Sequence, residues 1–429
     1  MRQLIKNGRV IDPANRLDKI CDVLIEDDTI VKIGDNLSAE DAAVIDAAEK
    51  IVAPGFIDMH VHLREPGQEA KEDFASGSRA AAAGGYTMVA AMPNTSPVVD
   101  NAALVRSLQK RADDVSLVHI EIIGALTKGQ CGEELAELGD MAEAGAVAFS
   151  DDGHYVERAK VLLSGLDYLR AFDKIIINHD EDTSLIEEGC MNEGRRSAML
   201  GVKGRPTVAE DIAVDRDIRL AEYADARVHV AHISSARAVE IVRQAKKRGV
   251  RVSAEVTPHH LTLTEDYVDL SNSATKVNPP LRRQSDVDAM LEGLKDGTID
   301  AIVTDHSPHA EEEKDVEYCL APSGFPGLET AVGVLLTELY HSGKLDLDTL
   351  ISKLTAEPAR LLGLDAGTLA VGSRADIVIL DPEREWTVDE RAFYTRGTHS
   401  PFAGRRLKGR AVLTMVDGKV VMRDGKIIE

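Results

Sequence analysis

The feature that most constrains the fold is an alternation of short apolar segments with Ala-rich helical ones between residues 57 and 303. Eight segments have the length and composition of buried strands: 57–61, 86–91, 116–123, 146–149, 174–178, 228–231, 250–256 and 299–303. Helical patterns separate them, as at 102–111, 133–144, 209–223 and 236–247. Eight such repeats predict a parallel (β/α)8 barrel. A doubly wound open sheet is the alternative, but no Gly-x-Gly-x-x-Gly turn follows the first strand.

Neither chain end shows this alternation of strand and helix patterns, and both are predicted to form strands and hairpins. Asn7-Gly8 between apolar flanks predicts a hairpin over 4–11, and residues 23–33 predict a second one. Gly84-Gly85 is interpreted as a helix C-cap before the second barrel strand. We expect an α/β protein with a (β/α)8 barrel and a small β-sandwich domain built from both ends. The expected limits are 1–54, 55–365 and 366–429.

Charge and cysteine content restrict the partners. The 50 Lys and Arg residues against 73 Asp and Glu give a net charge of −23, which repels nucleic acid and anionic membranes. No signal peptide and no apolar run of about 20 residues is apparent. Four cysteines without Cys-x-x-Cys spacing, Cys21, Cys131, Cys190 and Cys319, are predicted to be reduced thiols of a cytoplasmic protein.

Ligand-type residues recur where the predicted strands end, and active sites of barrel enzymes lie at the C-terminal ends of the strands. His60 and His62 share one face of the first strand because residues two apart point the same way. Further candidates end the later strands: Asn94, Asp151, Asp152, His179, His232 and Asp305. One histidine at a strand end is commonly structural, but this many at one rim favour a shared site. Imidazoles and carboxylates without thiolates suit zinc or a similar divalent ion in a hydrolytic role.

These residues lie in segments that resemble the signatures of dihydroorotases, a family of the amidohydrolase superfamily. The matching segments are 58–66, 92–95, 149–153, 276–282 and 304–314, and the resemblance covers nearly the whole chain. Ser307 stands where alanine is usual, and we interpret this position as having no chemical part.

The resemblance implies one or two zinc ions per subunit. His60, His62 and Asp305 would hold one ion and His179 and His232 the other. Asp152 would bridge them, in the bacterial class that uses an aspartate in place of a carboxylated lysine. Asp305 would also move the proton while N-carbamoyl-L-aspartate and (S)-dihydroorotate interconvert in pyrimidine synthesis.

Substrate contacts are expected from a second set of residues. Arg64 offers a planar fork suited to a carboxylate; the alternative is a surface ion pair with Glu65. The other expected contacts are His62, Asn94 and His309, with Asn278 and the Ser323–Gly324 backbone at the ring amides.

Two alternatives stay open. One is a related cyclic amidohydrolase, such as a dihydropyrimidinase, hydantoinase or allantoinase. Those enzymes use a carboxylated lysine on the fourth strand, whereas 146–152 contains no lysine and the next one is Lys160. The other is an inactive scaffold, which would have lost ligands that are present here. A homodimer is expected without a physical argument, and association with aspartate transcarbamoylase is left open.

The remaining candidates receive structural interpretations. His259 and His260 are read as neighbours in a strand that face opposite ways. Asp151 is expected to be solvated or to lie behind the metal ligands, and 311–314 to be a solvated charge run. The loop from His306 to Gly327 is read as a lid. Four further histidines are read as structural: His154, His229, His306 and His399.

Overall fold

The computed structural model describes residues 1–429, and the chain begins with β structure. The first strands are β1 (Arg2–Asp12), β2 (Leu17–Glu26), β3 (Thr29–Gly34), β4 (Ala43–Asp46) and β5 (Ile51–Pro54). The predicted hairpin over 4–11 is wrong, because β1 runs through Asn7 and Gly8 with only a register shift against β2. The second predicted hairpin is confirmed as the antiparallel pair β2–β3.

The predicted barrel is confirmed. Its strands, with two short strands inserted after the fifth, are β6 (Phe56–Val61), β7 (Tyr86–Ala91), β8 (His119–Gly124), β9 (Ala148–Phe149), β10 (Ile175–Asn178), β11 (Met191–Asn192), β12 (Gly204–Arg205), β13 (Val228–Val230), β14 (Val252–Val256) and β15 (Ala301–Ile302). Eight of them form one parallel sheet in the order β15-β14-β13-β10-β9-β8-β7-β6. A parallel bridge between Val61 and His306 joins its two edges.

Helices surround this sheet. They are α1 (Phe74–Gly84), α2 (Ala102–Val115), α3 (Leu138–Glu143), α4 (Ala159–Leu169), α5 (Thr183–Ile186), α6 (Arg195–Leu200), α7 (Val208–Ala224), α8 (Ala236–Lys247), α9 (Pro258–Thr262), α10 (Gln284–Lys295), α11 (Glu311–Lys314), α12 (Leu328–Leu335), α13 (Leu347–Leu354) and α14 (Ala356–Leu362). Gly85 ends α1 with φ of 93°, as predicted, since a left-handed C-cap favours glycine. No helix is both long and apolar enough to cross a membrane.

The chain ends meet in one sheet, as predicted. The last strands are β16 (Ile377–Thr387), β17 (Arg406–Val416), β18 (Lys419–Arg423) and β19 (Lys426–Ile427). They join the first five in a nine-stranded mixed sheet through the antiparallel pair β5–β16. Its core is a separate apolar cluster that includes Ile5, Val52 and Ile379. The domain limits given above stay a prediction.

The prediction that all four cysteines are reduced thiols is wrong for two of them. Cys190 and Cys319 are joined by a disulfide, with Cα atoms 5.2 Å apart, whereas Cys21 and Cys131 are free. The bond connects the segment that carries β11 to the loop after β15, two regions 129 residues apart in sequence. Spacing could not reveal this pair, since only the folded barrel brings the two segments together.

Candidate metal centre and active site

Asp58 connects β6, the first barrel strand, to the residues that follow β15, the last barrel strand. This fully buried carboxylate accepts hydrogen bonds from the backbone N–H groups of His60 (3.1 Å) and Thr304 (3.0 Å). It therefore fixes the segments that carry His60, His62 and Asp305 relative to one another. Burial raises the pKa of Asp58 to about 7.

Three residues of this rim have backbones in the left-handed region. The φ angles are 62° for Arg64, 30° for His232 and 50° for Asp305. Non-glycine residues pay a conformational cost there, and such strain concentrates at functional sites, where the surrounding structure enforces it.

The structure brings together the six metal ligands expected from the sequence. Asp152 lies at the centre, with Oδ1 3.3 Å from His232 Nε2, 3.5 Å from His60 Nε2 and 3.8 Å from His179 Nδ1. Its Oδ2 lies 3.3 Å from His62 Nε2. Asp305 Oδ1 lies 3.2 Å from the same nitrogen, and 3.7 Å from His60 Nε2. Asp152 thus faces three of the histidines with Oδ1 and His62 with Oδ2.

This donor set fits a divalent cation. His60 Nε2 and Asp152 Oδ1 are buried and have no hydrogen-bond partner in the protein, an arrangement that costs free energy unless something else satisfies them. Ligands held about 2.1 Å from a tetrahedral zinc ion lie about 3.4 Å from one another. The observed separations cluster around that value. Within this cluster, two groups of ligand-type atoms lie close enough to share one ion, His60–His62–Asp305 and His60–Asp152–His232.

A layer of polar residues behind the cluster orients the imidazoles. His60 Nδ1 contacts Glu255 Oε1, His62 Nδ1 lies 2.8 Å from Asn94 Oδ1, and Asn278 Nδ2 donates to His179 Nε2 at 3.1 Å. The sequence reasoning missed Glu255. The available signal was a charged residue inside the apolar strand β14, whose residues are all buried.

Arg64 is a buried cation without a carboxylate partner. Its Nε donates to Pro308 O (3.2 Å) and its Nη2 to Ser307 Oγ (2.8 Å), so both acceptors are uncharged. Burial lowers the pKa of Arg64 to about 10. The ion pair with Glu65 is absent, because Glu65 instead binds Arg111 and accepts a hydrogen bond from Phe74 N–H. A buried, unpaired guanidinium is costly, and an anionic ligand would offset that cost.

The loop after β15 is held by its own buried groups. His309 Nε2 donates to Ser323 O at 2.8 Å, and burial together with Arg64 lowers the pKa of His309 to about 3. Lys314 donates to Pro322 O and Gly324 O at 3.0 and 2.9 Å. The prediction of a solvated run over 311–314 is therefore wrong for Lys314, which is 3% exposed.

A polar cavity of about 180 Å³ opens above this cluster. Its wall contains every predicted site residue except His60, which lies behind the wall. The predicted residues in the wall are His62, Arg64, Asn94, Asp152, His179, His232, Asn278, Asp305, His309, Ser323 and Gly324. Gly153 and Ser307 complete the lining. Ser307 Oγ accepts a hydrogen bond from Arg64 and its side chain is in the cavity wall, while the interpretation that position 307 has no chemical part stays untested.

The other candidates lie outside the cavity. Asp151 is buried and accepts from Leu126 N, Thr127 N and Thr127 Oγ1, so it is not solvated. The prediction of a strand at His259 and His260 is wrong, because both lie on α9, buried and away from the cavity wall. His306 is buried against Glu72, with Nε2 3.2 Å from Oε2.

Comparisons with known proteins agree with this geometry. Residues 49–238 match the model of a family described as dihydro-orotase-like, and residues 321–422 match that of the amidohydrolase family. The chain is 51% identical over 423 residues to a dihydroorotase of Syntrophotalea carbinolica and 53% identical over 424 residues to one of Pelotomaculum thermopropionicum. Each alignment covers 99% of both proteins.

Solved structures of related enzymes share the whole fold. An L-hydantoinase (dihydropyrimidinase) from Arthrobacter aurescens superimposes with a TM-score of 0.91 at 29% identity, covering 100% of this chain and 98% of that one. A dihydropyrimidinase from Brevibacillus agri has a TM-score of 0.86 at 26% identity, covering 100% and 96%.

Proposed function

The chain belongs to the dihydroorotase family of the amidohydrolases, and we propose that its cavity binds dihydroorotate with the carboxylate on Arg64 and the ring amide at the histidine–aspartate cluster. The family reaction interconverts N-carbamoyl-L-aspartate and (S)-dihydroorotate in pyrimidine synthesis. Near 50% identity over the full length carries this hydrolase activity to the chain.

One observation carries the assignment of the substrate. Arg64 is a buried cation in the cavity wall, 7% exposed, and its only protein acceptors are the carbonyl of Pro308 and the hydroxyl of Ser307. A guanidinium held this way selects a ligand that brings its own negative charge. Dihydroorotate carries such a carboxylate, whereas dihydrouracil and unsubstituted hydantoin do not.

The ligand roles proposed here are those that the family resemblance implies. His60, His62 and Asp305 would hold one ion, His179 and His232 a second, and Asp152 would contribute an oxygen to each. Zinc is the proposed metal, because the set combines imidazoles with carboxylates and contains no thiolate. When bound, it would supply Lewis acidity toward the amide carbonyl and toward a water molecule.

Proton transfer is assigned to Asp305. Its Oδ1 is directed at His62 Nε2, and its side chain is in the cavity wall, within reach of substrate. Asp305 would take a proton from the water that attacks the ring carbonyl and give it to the departing ring nitrogen. Asn278 and the backbone of Ser323 and Gly324 would hold the ring amides, while Asn94 keeps His62 oriented.

A dihydropyrimidinase or hydantoinase activity is the second candidate, favoured by the superposition on those enzymes. Against it stand the absence of a lysine in 146–152 and the free charge of Arg64. Asp152 in place of a carboxylated lysine is part of the same proposal.

Hydrolysis by the purified protein separates the two activities. We expect turnover of dihydroorotate and, at most, about 1% of that kcat/KM with dihydrouracil or hydantoin, since buried polar groups left unpaired reject the smaller ligand. Equal turnover of dihydrouracil would assign the chain to the second activity. Metal analysis of the same sample tests zinc. We also propose a homodimer, without a physical argument, and a cytoplasmic location, and association with aspartate transcarbamoylase stays open. Mass measurements in solution, with and without that enzyme, and cell fractionation test them.

A further inference from the structure

Ser307 is in direct contact with the guanidinium of Arg64. Its Oγ accepts a hydrogen bond from Arg64 Nη2 at 2.8 Å, in a buried position on the cavity wall. The backbone of Ser307 is fixed as well, because its N–H donates to Phe325 O at 3.0 Å. The side chain is therefore held in place by the loop after β15.

The hydroxyl group has an unused donor. A serine hydroxyl can accept two hydrogen bonds and donate one. The bond from Arg64 occupies an acceptor position, and the Oγ–H of Ser307 is donated to no protein atom. Arg64 also keeps free N–H groups at Nη1, since its bonds to the protein use only Nε and Nη2. Unused donors of both residues thus lie side by side in the cavity.

We propose that Ser307 binds the carboxylate of the substrate directly and, with Arg64, determines specificity for an anionic ring substrate; this inference rests on the proposed function. A carboxylate is an acceptor only, so it can receive the hydroxyl hydrogen of Ser307 together with hydrogens from Arg64. Ser307 accepts from the cation and donates to the anion, which aligns the two charged groups.

Although His309 lies in the cavity wall, it is less suited than Ser307 to donate a hydrogen bond to the substrate carboxylate. Its Nε2–H is already donated to Ser323 O. Burial and the charge of Arg64 keep His309 neutral, so its Nδ1 is left as an acceptor that cannot donate to a carboxylate. Ser307 therefore adds to the cavity wall a neutral side chain in contact with Arg64 that has a hydrogen to give.

The surroundings leave little room for a larger residue. A Cβ atom on Gly324, whose φ is 115°, would lie 2.6 Å from Ser307 Cβ. Gly324 therefore has to be glycine for the hydroxyl to sit beside Arg64. Alanine and cysteine are the substitutions of Ser307 that keep the space close to its present size.

The test compares Ser307→Ala and Ser307→Cys with the wild type in steady-state hydrolysis of dihydroorotate and dihydrouracil. A hydrogen bond to a charged group predicts that KM for dihydroorotate rises about 10- to 100-fold in Ser307→Ala. We expect kcat to stay within about threefold, and kcat/KM for dihydrouracil within about twofold, since neither depends on the carboxylate contact. Ser307→Cys should resemble Ser307→Ala, because a thiol fills the space but donates weakly.

Metal content and thermal melting of both variants establish that the fold and the metal cluster are intact. If Ser307→Ala keeps KM for dihydroorotate within twofold of the wild type, or if Ser307→Cys restores the wild-type value, Ser307 only fills space and the inference is overturned. A wild-type protein that cleaves dihydrouracil as well as dihydroorotate overturns the proposed function itself, and the Ser307 inference with it. A selective wild type combined with an equally selective Ser307→Ala overturns the Ser307 inference alone.

Discussion

Nδ1 of His60 lies 2.5 Å from Oε1 of Glu255, and neither side chain is exposed to solvent. The same Oε1 accepts a hydrogen bond from the backbone N–H of His232 at 3.3 Å, and Oε2 lies 3.0 Å from His229 Nε2. His229 is in turn bonded to Ser253 Oγ at 2.7 Å. One carboxylate therefore turns Nε2 of His60 toward the cluster and fixes the backbone that carries His232.

Removing this support should weaken metal binding. Carboxylates behind metal-binding histidines fix the ring and raise its basicity, and their loss costs about 10- to 100-fold in metal affinity. We expect Glu255→Ala to lower zinc affinity by that factor, measured by competition with a chromophoric chelator. Glu383→Ala, which removes a surface carboxylate paired with Lys408, serves as the control. Wild-type affinity in Glu255→Ala would show that the cluster does not depend on Glu255.

Arg64→Lys tests the carboxylate contact with the charge retained. A lysine ammonium cannot match the planar, two-point geometry of the guanidinium, nor bond to Pro308 O and Ser307 Oγ from the same positions. We expect kcat/KM for dihydroorotate to fall about 10²-fold or more, by loss of charge-assisted hydrogen bonds. The value for dihydrouracil should change little. An equal loss for both substrates would place Arg64 in the support of the cluster instead.

The barrel and its rim could be predicted because their signals are local. Each barrel strand is a short apolar run, and the candidate ligands lie at the strand ends or within three residues after them, so the parallel arrangement gathers His60, His179, His232 and Asp305. Asp151 and Asp152 both follow β9, and the choice of Asp152 rested on the family resemblance. The candidate residues, though not their roles, could therefore be named before the geometry was known.

The features that could not be predicted depend on contacts between distant segments. Asn7-Gly8 is a hairpin signal, but β1 continues because Gly8 packs closely on Val52 and Ala47. The Cys190–Cys319 bond and the contact of Ser307 with Arg64 each join segments that are close only after the barrel has closed. The burial of Lys314 depends on the fold of its own loop, where it donates to Pro322 O and Gly324 O.

Asp305→Asn should separate proton transfer from metal binding. The amide keeps the shape and one oxygen near His62 Nε2, but it cannot accept a proton. We expect zinc content close to that of the wild type and a kcat lower by about 10²- to 10⁴-fold, the usual contribution of a general acid–base group. An unchanged kcat would assign the proton transfer to another residue.

Alanine substitutions of Asp152 and Asp151 should have different effects, the first on zinc binding and activity and the second on stability. Asp152 faces four imidazole nitrogens, so its loss should remove zinc and activity together. Asp151 accepts two backbone N–H groups and a hydroxyl, and its loss leaves Thr127 N and Thr127 Oγ1 without this acceptor, while Leu126 N–H keeps its bond to Ser150 O at 3.3 Å. We therefore expect Asp151→Ala to keep its zinc but to unfold at a lower temperature. Its free energy of unfolding should fall by roughly 1–3 kcal/mol for each buried donor left unsatisfied. Loss of zinc in Asp151→Ala but not in Asp152→Ala would reverse the assignment. If Asp152 takes the place of a carboxylated lysine, as proposed, bicarbonate should not affect the wild type.

Glu329 provides a test of pH dependence away from the metal cluster. Burial raises its pKa to about 8, with a smaller contribution from Glu72, although Oε1 accepts from Tyr394 N and Thr395 N at 2.7 and 3.1 Å. The folded chain thus holds this proton more tightly than the unfolded chain, whose glutamate has an ordinary pKa near 4.5. The proton-linked stability is complete below the unfolded pKa and is lost as pH rises toward 8, by up to about 1.4 kcal/mol per pH unit.

In Glu329→Gln the amide oxygen can accept both backbone bonds but does not ionise. We expect urea unfolding to give similar stabilities at pH 5 and a more stable variant at pH 8.5, so the difference between the two proteins should grow with pH. A constant difference across this range would show that Glu329 does not ionise as its burial implies.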